Sequence, residues 1–237
     1  MRVPVLVVLA FLPAAALAEP GEGDCRRESF TAGEPLEAAL VRNEGTRLPF
    51  VKNAADQEGC PSAAETCRER AYLVPGNGVI ASRSHQGFRC AIYIASNGQA
   101  RTGWLPAAGL ITLPAAHDPD FAGKWRAGPE QSMSIRRDGG NWQLDGQATY
   151  GAQDPERMRR GAVNIGDVSA TVPRAGVDGP TRLAFTAGEG GTLPYDRGDE
   201  SACRMRMQLV GPWLVVTDNL RCGGANVTFT GIYRRTP

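Results

Sequence analysis

Beyond Ala18 no stretch of this 237-residue chain repeats its apolar residues every three to four positions for three helical turns. Short Val, Ile, Thr and aromatic runs lie instead between Gly, Asn and Asp clusters, and the 29 glycines and 17 prolines are scattered throughout. Long amphipathic helices are thereby excluded, and period-two runs bounded by turn residues predict strands. The expected fold class is all-β.

The first residues read differently. Met1-Arg2 precedes an apolar run from Val3 to Leu17 that ends in the small-residue site Ala16-Leu17-Ala18. This is the pattern of a secretory signal peptide, expected over residues 1–18, and the run is short for a permanent anchor. Glu19 and Pro20 follow, so no cysteine is placed for lipid attachment. A soluble mature chain, periplasmic or secreted from a bacterium and without a membrane anchor, is the expectation.

All six cysteines, Cys25, Cys60, Cys67, Cys90, Cys203 and Cys222, lie beyond that leader, which suits disulfides formed in an oxidising compartment. No Cys-x-x-Cys pair occurs and only two histidines are present, so neither a metal nor another cofactor is expected. The chain carries 26 basic and 25 acidic residues, a balance that offers no general attraction for nucleic acid.

Four cysteines precede Phe121 and two follow it, which matches a division into two small domains. Residues 19–46 read as a polar, loosely structured lead-in anchored by Cys25 and Phe30, and residues 47–114 as the first domain. Within it Leu48-Pro49-Phe50-Val51-Lys52 and Ala71-Tyr72-Leu73-Val74 predict strands, with a compact excursion from Cys60 to Cys67 between them. Phe88 to Ser96 and Gln99 to Leu105 flank Asn97-Gly98, the dipeptide suited to a two-residue type I′ turn. That turn would set Ala91 across from Trp104 and Cys90 across from Leu105. Four cysteines allow three pairings; the one expected here is Cys25 with Cys90 and Cys60 with Cys67.

Tyr72-Leu73-Val74-Pro75-Gly76, then Gly87-Phe88-Arg89-Cys90, then Gly103-Trp104-Leu105-Pro106 resembles a bacterial SH3-like domain. The resemblance implies a small barrel that binds peptides or cell-wall fragments, with Tyr72, Tyr93 and Trp104 as an aromatic platform. The same three aromatics could equally form the core of so small a barrel. The disulfide-bearing insertion departs from the family pattern.

Residues 115–120 follow as a linker, Ala115-Ala116-His117-Asp118-Pro119-Asp120, and residues 121–237 as the second domain. Its runs and turns predict an antiparallel barrel of about eight strands. In Cys203 to Leu209 the alternation is clean, and a two-residue turn at Gly211-Pro212 makes Cys222 the diagonal neighbour of Cys203, so these two are expected to be bonded. The opening Phe121-Ala122-Gly123-Lys124-Trp125 resembles the first strand of lipocalin-like and avidin-like barrels, in which the tryptophan plugs one end, a role that falls here to Trp125. The stretch from Cys222 to Arg235 resembles the closing strand of small exported barrels, some of them lysozyme-inhibitor-like. Gln153 to Gly161 and Gly188 to Ser201 read as polar loops that could rim a barrel mouth.

Two small barrels, cross-links, export and no convincing catalytic set point to an envelope binding protein rather than an enzyme, its partner a cell-wall glycan, a peptide or an envelope protein. A structural spacer in an envelope complex is the alternative, and a hydrolase using His85, beside Ser84, is the third reading.

Overall fold

The computed structural model of the protein describes residues 21–45, 47–174, 179–188 and 190–237, so the expected leader at 1–18 lies outside the described residues. The fold is all-β: two antiparallel sheets, one curled into a half-barrel and one into a nearly closed barrel. The first sheet comprises β1 (Glu37–Val41), β2 (Leu48–Val51), β3 (Arg68–Leu73), β4 (Gly78–His85), β5 (Phe88–Ile94), β6 (Ala100–Pro106) and β7 (Leu110–Thr112). They are ordered β3-β2-β6-β5-β4-β1-β7.

Two of these strands are findings that the sequence reading missed. Strand β1 lies within the segment expected to be loosely structured, yet it sits between β4 and β7. Its alternation is hidden by small residues, Ala38 and Ala39, which face opposite sides and are both buried. Strand β4 runs through the polar Ser82-Arg83-Ser84-His85 and turns at Gln86-Gly87, where φ is +46° and +84°. Positive φ at both central residues is the type I′ geometry. It therefore occurs here, between His85 and Phe88, and not at Asn97-Gly98.

The β5–β6 hairpin uses a three-residue loop instead. The Gly98 N–H donates to Ala95 O at 2.9 Å, Gly98 takes φ +85°, and Ala95 pairs with Gln99. This turn with a left-handed third residue slips the expected register by one: Cys90 opposes Trp104 and Ala91 opposes Gly103. A one-residue slip moves side chains to the other face of the sheet. Trp104 accordingly shares a face with Cys90 and Ile92, while Tyr93, Ala91 and Leu105 line the inside of the half-barrel with Phe50, Val79 and Leu73.

The second sheet comprises β8 (Gly123–Arg126), β9 (Gln131–Asp138), β10 (Asn141–Tyr150), β11 (Asn164–Pro173), β12 (Arg182–Gly188), β13 (Gly191–Leu193), β14 (Cys203–Val210), β15 (Trp213–Asp218) and β16 (Gly231–Thr236). Their order is β11-β10-β9-β8-β16-β15-β14-β12-β13, nine strands where about eight are expected from the turns. The ninth is β13, short and inside the expected polar loop at 188–201. At the open seam the Thr171 N–H donates to Thr192 Oγ1 at 2.8 Å, linking β11 to β13. The other expected loop, 153–161, contains one helical turn (Pro155–Arg159) capped by Asp154, whose Oδ1 accepts from the N–H groups of Glu156 and Arg157.

Strands β14 and β15 pair as expected around Gly211-Pro212, with Val210 opposite Trp213 and Met205 opposite Asp218. Met205, Met207, Leu214 and Val216 point into the barrel. Val210, Trp213 and Val215 point out of it, into a second cluster with Phe30, Leu36, Ala38, Ile80, Ile92 and Trp104 of the N-terminal half. The run Trp213-Leu214-Val215-Val216 is thus buried on both faces, which explains why it does not alternate. Polar bonds cross the same junction: Ala32 N–H donates to Thr217 Oγ1 at 2.9 Å and Gln208 Nε2 to Leu36 O at 3.1 Å. Besides the core inside each sheet, the two sheets thus share this buried cluster between them.

The three disulfides are Cys25–Cys90, Cys60–Cys67 and Cys203–Cys222, each within its own half of the chain. Such cross-links fit an oxidising, exported environment. Among the described residues no helix is long and apolar enough to cross a membrane.

Candidate functional site

The three aromatics expected as a platform are not brought onto one surface. Trp104 is wholly buried and its indole N–H donates to Gly23 O at 2.9 Å, under the N-terminal segment. Tyr93 is half-buried on the opposite face of the sheet. Only Tyr72, on edge strand β3, is exposed, with the Arg47 guanidinium 4.3 Å from its ring centre. His85 ends β4 with its ring 5.9 Å from that of Trp104. Ser84 is its immediate neighbour on a strand and so points to the other face, which separates the hydroxyl from the imidazole.

Trp125 is buried in the barrel core, its indole N–H donating to Phe121 O at 2.8 Å. Phe121 meets Trp142 edge-on at 5.6 Å, and arginines lie over the indoles from outside: Arg235 over Trp125, Arg137 and Arg174 over Trp142. The linker is tied to this end. Asp120 accepts from Ala122 N–H and is paired with Arg137 at 3.3 Å and Arg235 at 3.8 Å. Gly123 adopts φ +138°, and a Cβ there would meet the Arg235 side chain at 3.2 Å.

The segment read as one long closing strand divides in two. Only Gly231–Thr236 is a strand; residues 219–230 cross the barrel, where Val227 and Phe229 are buried in the core. Asp218 holds this crossing in place, accepting from the hydroxyls of Thr228 and Thr230, each at 2.6 Å, and from Phe229 N–H. Tyr233 donates its hydroxyl proton to Phe229 O at 2.8 Å, and burial, aided by the charge of Asp218, pushes that hydroxyl well above the usual tyrosine range.

Met133, Ile135, Leu144, Val168, Phe185 and Met207 fill the space between these layers. The barrel interior is therefore side chains, and the concave relief lies outside. One cleft of about 760 Å³ follows the outer face of β8 to β11. The ladders place its residues in two rows. One runs Thr236, Lys124, Ser134, Asp145, Ser169, and the next Arg126, Ser132, Gln147, Asp167. Basic groups thus stand on β8 and acidic groups on β10 and β11, separated by two or three strand spacings, about 10–14 Å. The side chains between them are small hydroxyls and an amide. At the centre Gly146 lacks the Cβ that would strike Val168 and the Phe229 ring, so β10 can lie close over the core and leave the face hollow.

Asp145 is engaged, accepting from Ser169 Oγ at 2.9 Å and facing Arg136 at 3.4 Å. Asp167 is exposed. The outer-face set was not singled out from the sequence. Its signal is the polar member of each alternating pair along β8 to β11, which any solvated face also presents, and only the strand order gathers the charges by sign. Among the described residues no three His, Cys, Asp or Glu side chains gather to hold a metal ion. Set against protein-family models, curated proteins and solved structures, the chain matches none of them.

Proposed function

We propose that this is an exported bacterial envelope protein that binds without catalysis, recognising a cell-wall component through the outer face of its barrel. One observation carries the reading: a hollow polar face with Lys124 and Arg126 on one side and Asp145 and Asp167 on the other. Opposite charges about 10–14 Å apart, with hydroxyls between, suit an elongated ligand bearing both signs. A wall stem peptide, with its carboxylates and free amine, has that character. The SH3-like and lipocalin-like resemblances belong to the same reading, since families of those kinds bind peptides and small ligands.

Sedimentation of the full chain with purified peptidoglycan, followed by titration with soluble muropeptides, tests the proposal. Asp145→Asn combined with Asp167→Asn is expected to weaken muropeptide binding about ten-fold or more, the scale of a lost charged hydrogen bond. No sedimentation with the wall, together with no partner retained from envelope extract, overturns the reading.

A further inference from the structure

A second cleft, of about 390 Å³, lies where the two sheets meet, between the β5–β6 loop and the turn that follows the end of β8. Three arginines line it from three elements: Arg27 from the N-terminal segment, Arg126 from β8 and Arg234 from β16. Arg126 and Arg234 are direct partners across the β8–β16 ladder. Like charges in that relation repel, and no carboxylate lines the cleft to relieve them. None of the three is in an ion pair among the described residues, although Arg235, the next residue along, is paired with Asp120. Arg234 is held in place, because its guanidinium donates to Ile94 O of the first sheet. Ile94, Ile232, Ala127 and Pro129 supply an apolar wall beside the charges.

We propose that this cleft is a carboxylate site, taking an acidic group borne on a short apolar body such as the terminal residue of a peptide. The planar guanidinium fork matches a carboxylate with two parallel N–H···O bonds, and three of them around one anion turn the repulsion across the ladder into attraction. The apolar wall selects the body behind the charge. The site goes beyond the outer-face reading: of its three arginines only Arg126 borders both clefts.

Isothermal titration of the full chain, disulfides intact, with N-acetylalanine, its uncharged amide and inorganic phosphate tests the assignment. N-acetylalanine is expected to bind in preference to both other probes, and to bind more weakly as salt is raised. Arg27→Gln and Arg126→Gln, both at exposed positions, are each expected to weaken it about ten-fold, the scale of one lost charge-assisted bond. Equal binding of the acid and its amide, indifference to both substitutions, or tighter binding of phosphate than of N-acetylalanine overturns the proposal. Small-carboxylate titration reads this cleft and wall sedimentation reads the outer face, so the two proposals can fail separately.

Discussion

At Trp125 a large ring, its own hydrogen bond and a covering arginine coincide. Trp125→Ala is expected to cost about 3–5 kcal/mol, the scale of a large-to-small change in a closed core; urea unfolding measures it, and a loss under about 1 kcal/mol would place the residue at the surface. Two positions away, Gly123→Ala forces a side chain into a left-handed conformation against Arg235, and about 1 kcal/mol or more should be lost. Tyr233 gives a pH-dependent test. Its folded hydroxyl titrates above its unfolded value, so the native state keeps a proton that the unfolded chain releases. The stability this contributes is fully present below about pH 10 and declines as pH rises beyond it. Tyr233→Phe should flatten that decline, and the orphaned Phe229 carbonyl should cost about 1–3 kcal/mol at neutral pH.

Among the elements, Cys203–Cys222 joins cysteines 19 positions apart, so replacing both by serine should lower stability by about 3 kcal/mol in the chain-entropy account. Denaturant midpoints under non-reducing conditions decide it. This bridge was legible because Gly211-Pro212 dictates a register that the alternation of Met205, Met207 and Leu209 confirms. The Asn97-Gly98 hairpin was legible as a hairpin and misleading as a register, since the same dipeptide also serves a longer loop with glycine in the left-handed position. Strands β1 and β13 stayed hidden for different reasons: Ala38 and Ala39 have little strand signature until neighbours pair with them, and Gly191–Leu193 is too short for alternation to register. The candidate sites were harder still. Lys124, Asp145 and Asp167 are far apart in sequence, and only the order β8-β9-β10-β11 makes them one face. Of the aromatics that looked functional, Trp104 is buried and Tyr93 half-buried on the opposite face, while Tyr72 stays exposed on its edge strand.

For the whole molecule the decisive feature is the buried cluster shared by the two sheets. The two domains expected from the sequence are joined through it: with Val210, Trp213 and Val215 seated against Phe30, Ala38 and Ile92, damage to the barrel should be felt in both halves. Protease attack at the exposed stretch Pro114 to His117 should nick the chain, yet the two pieces are expected to elute together from a sizing column under native conditions. Separation of the pieces without denaturant would refute this. The doubly buried β14–β15 hairpin also bears on how the chain is made. It is supplied from the C-terminal part, whereas the surface awaiting it, Phe30, Ile80 and Ile92, emerges early. A nascent chain threaded amino end first therefore holds an unfinished, sticky face open until Trp213 arrives, even though both of its early bridges, Cys25–Cys90 and Cys60–Cys67, can already be sealed. Until the β14–β15 hairpin is made, nothing from the barrel covers that early face.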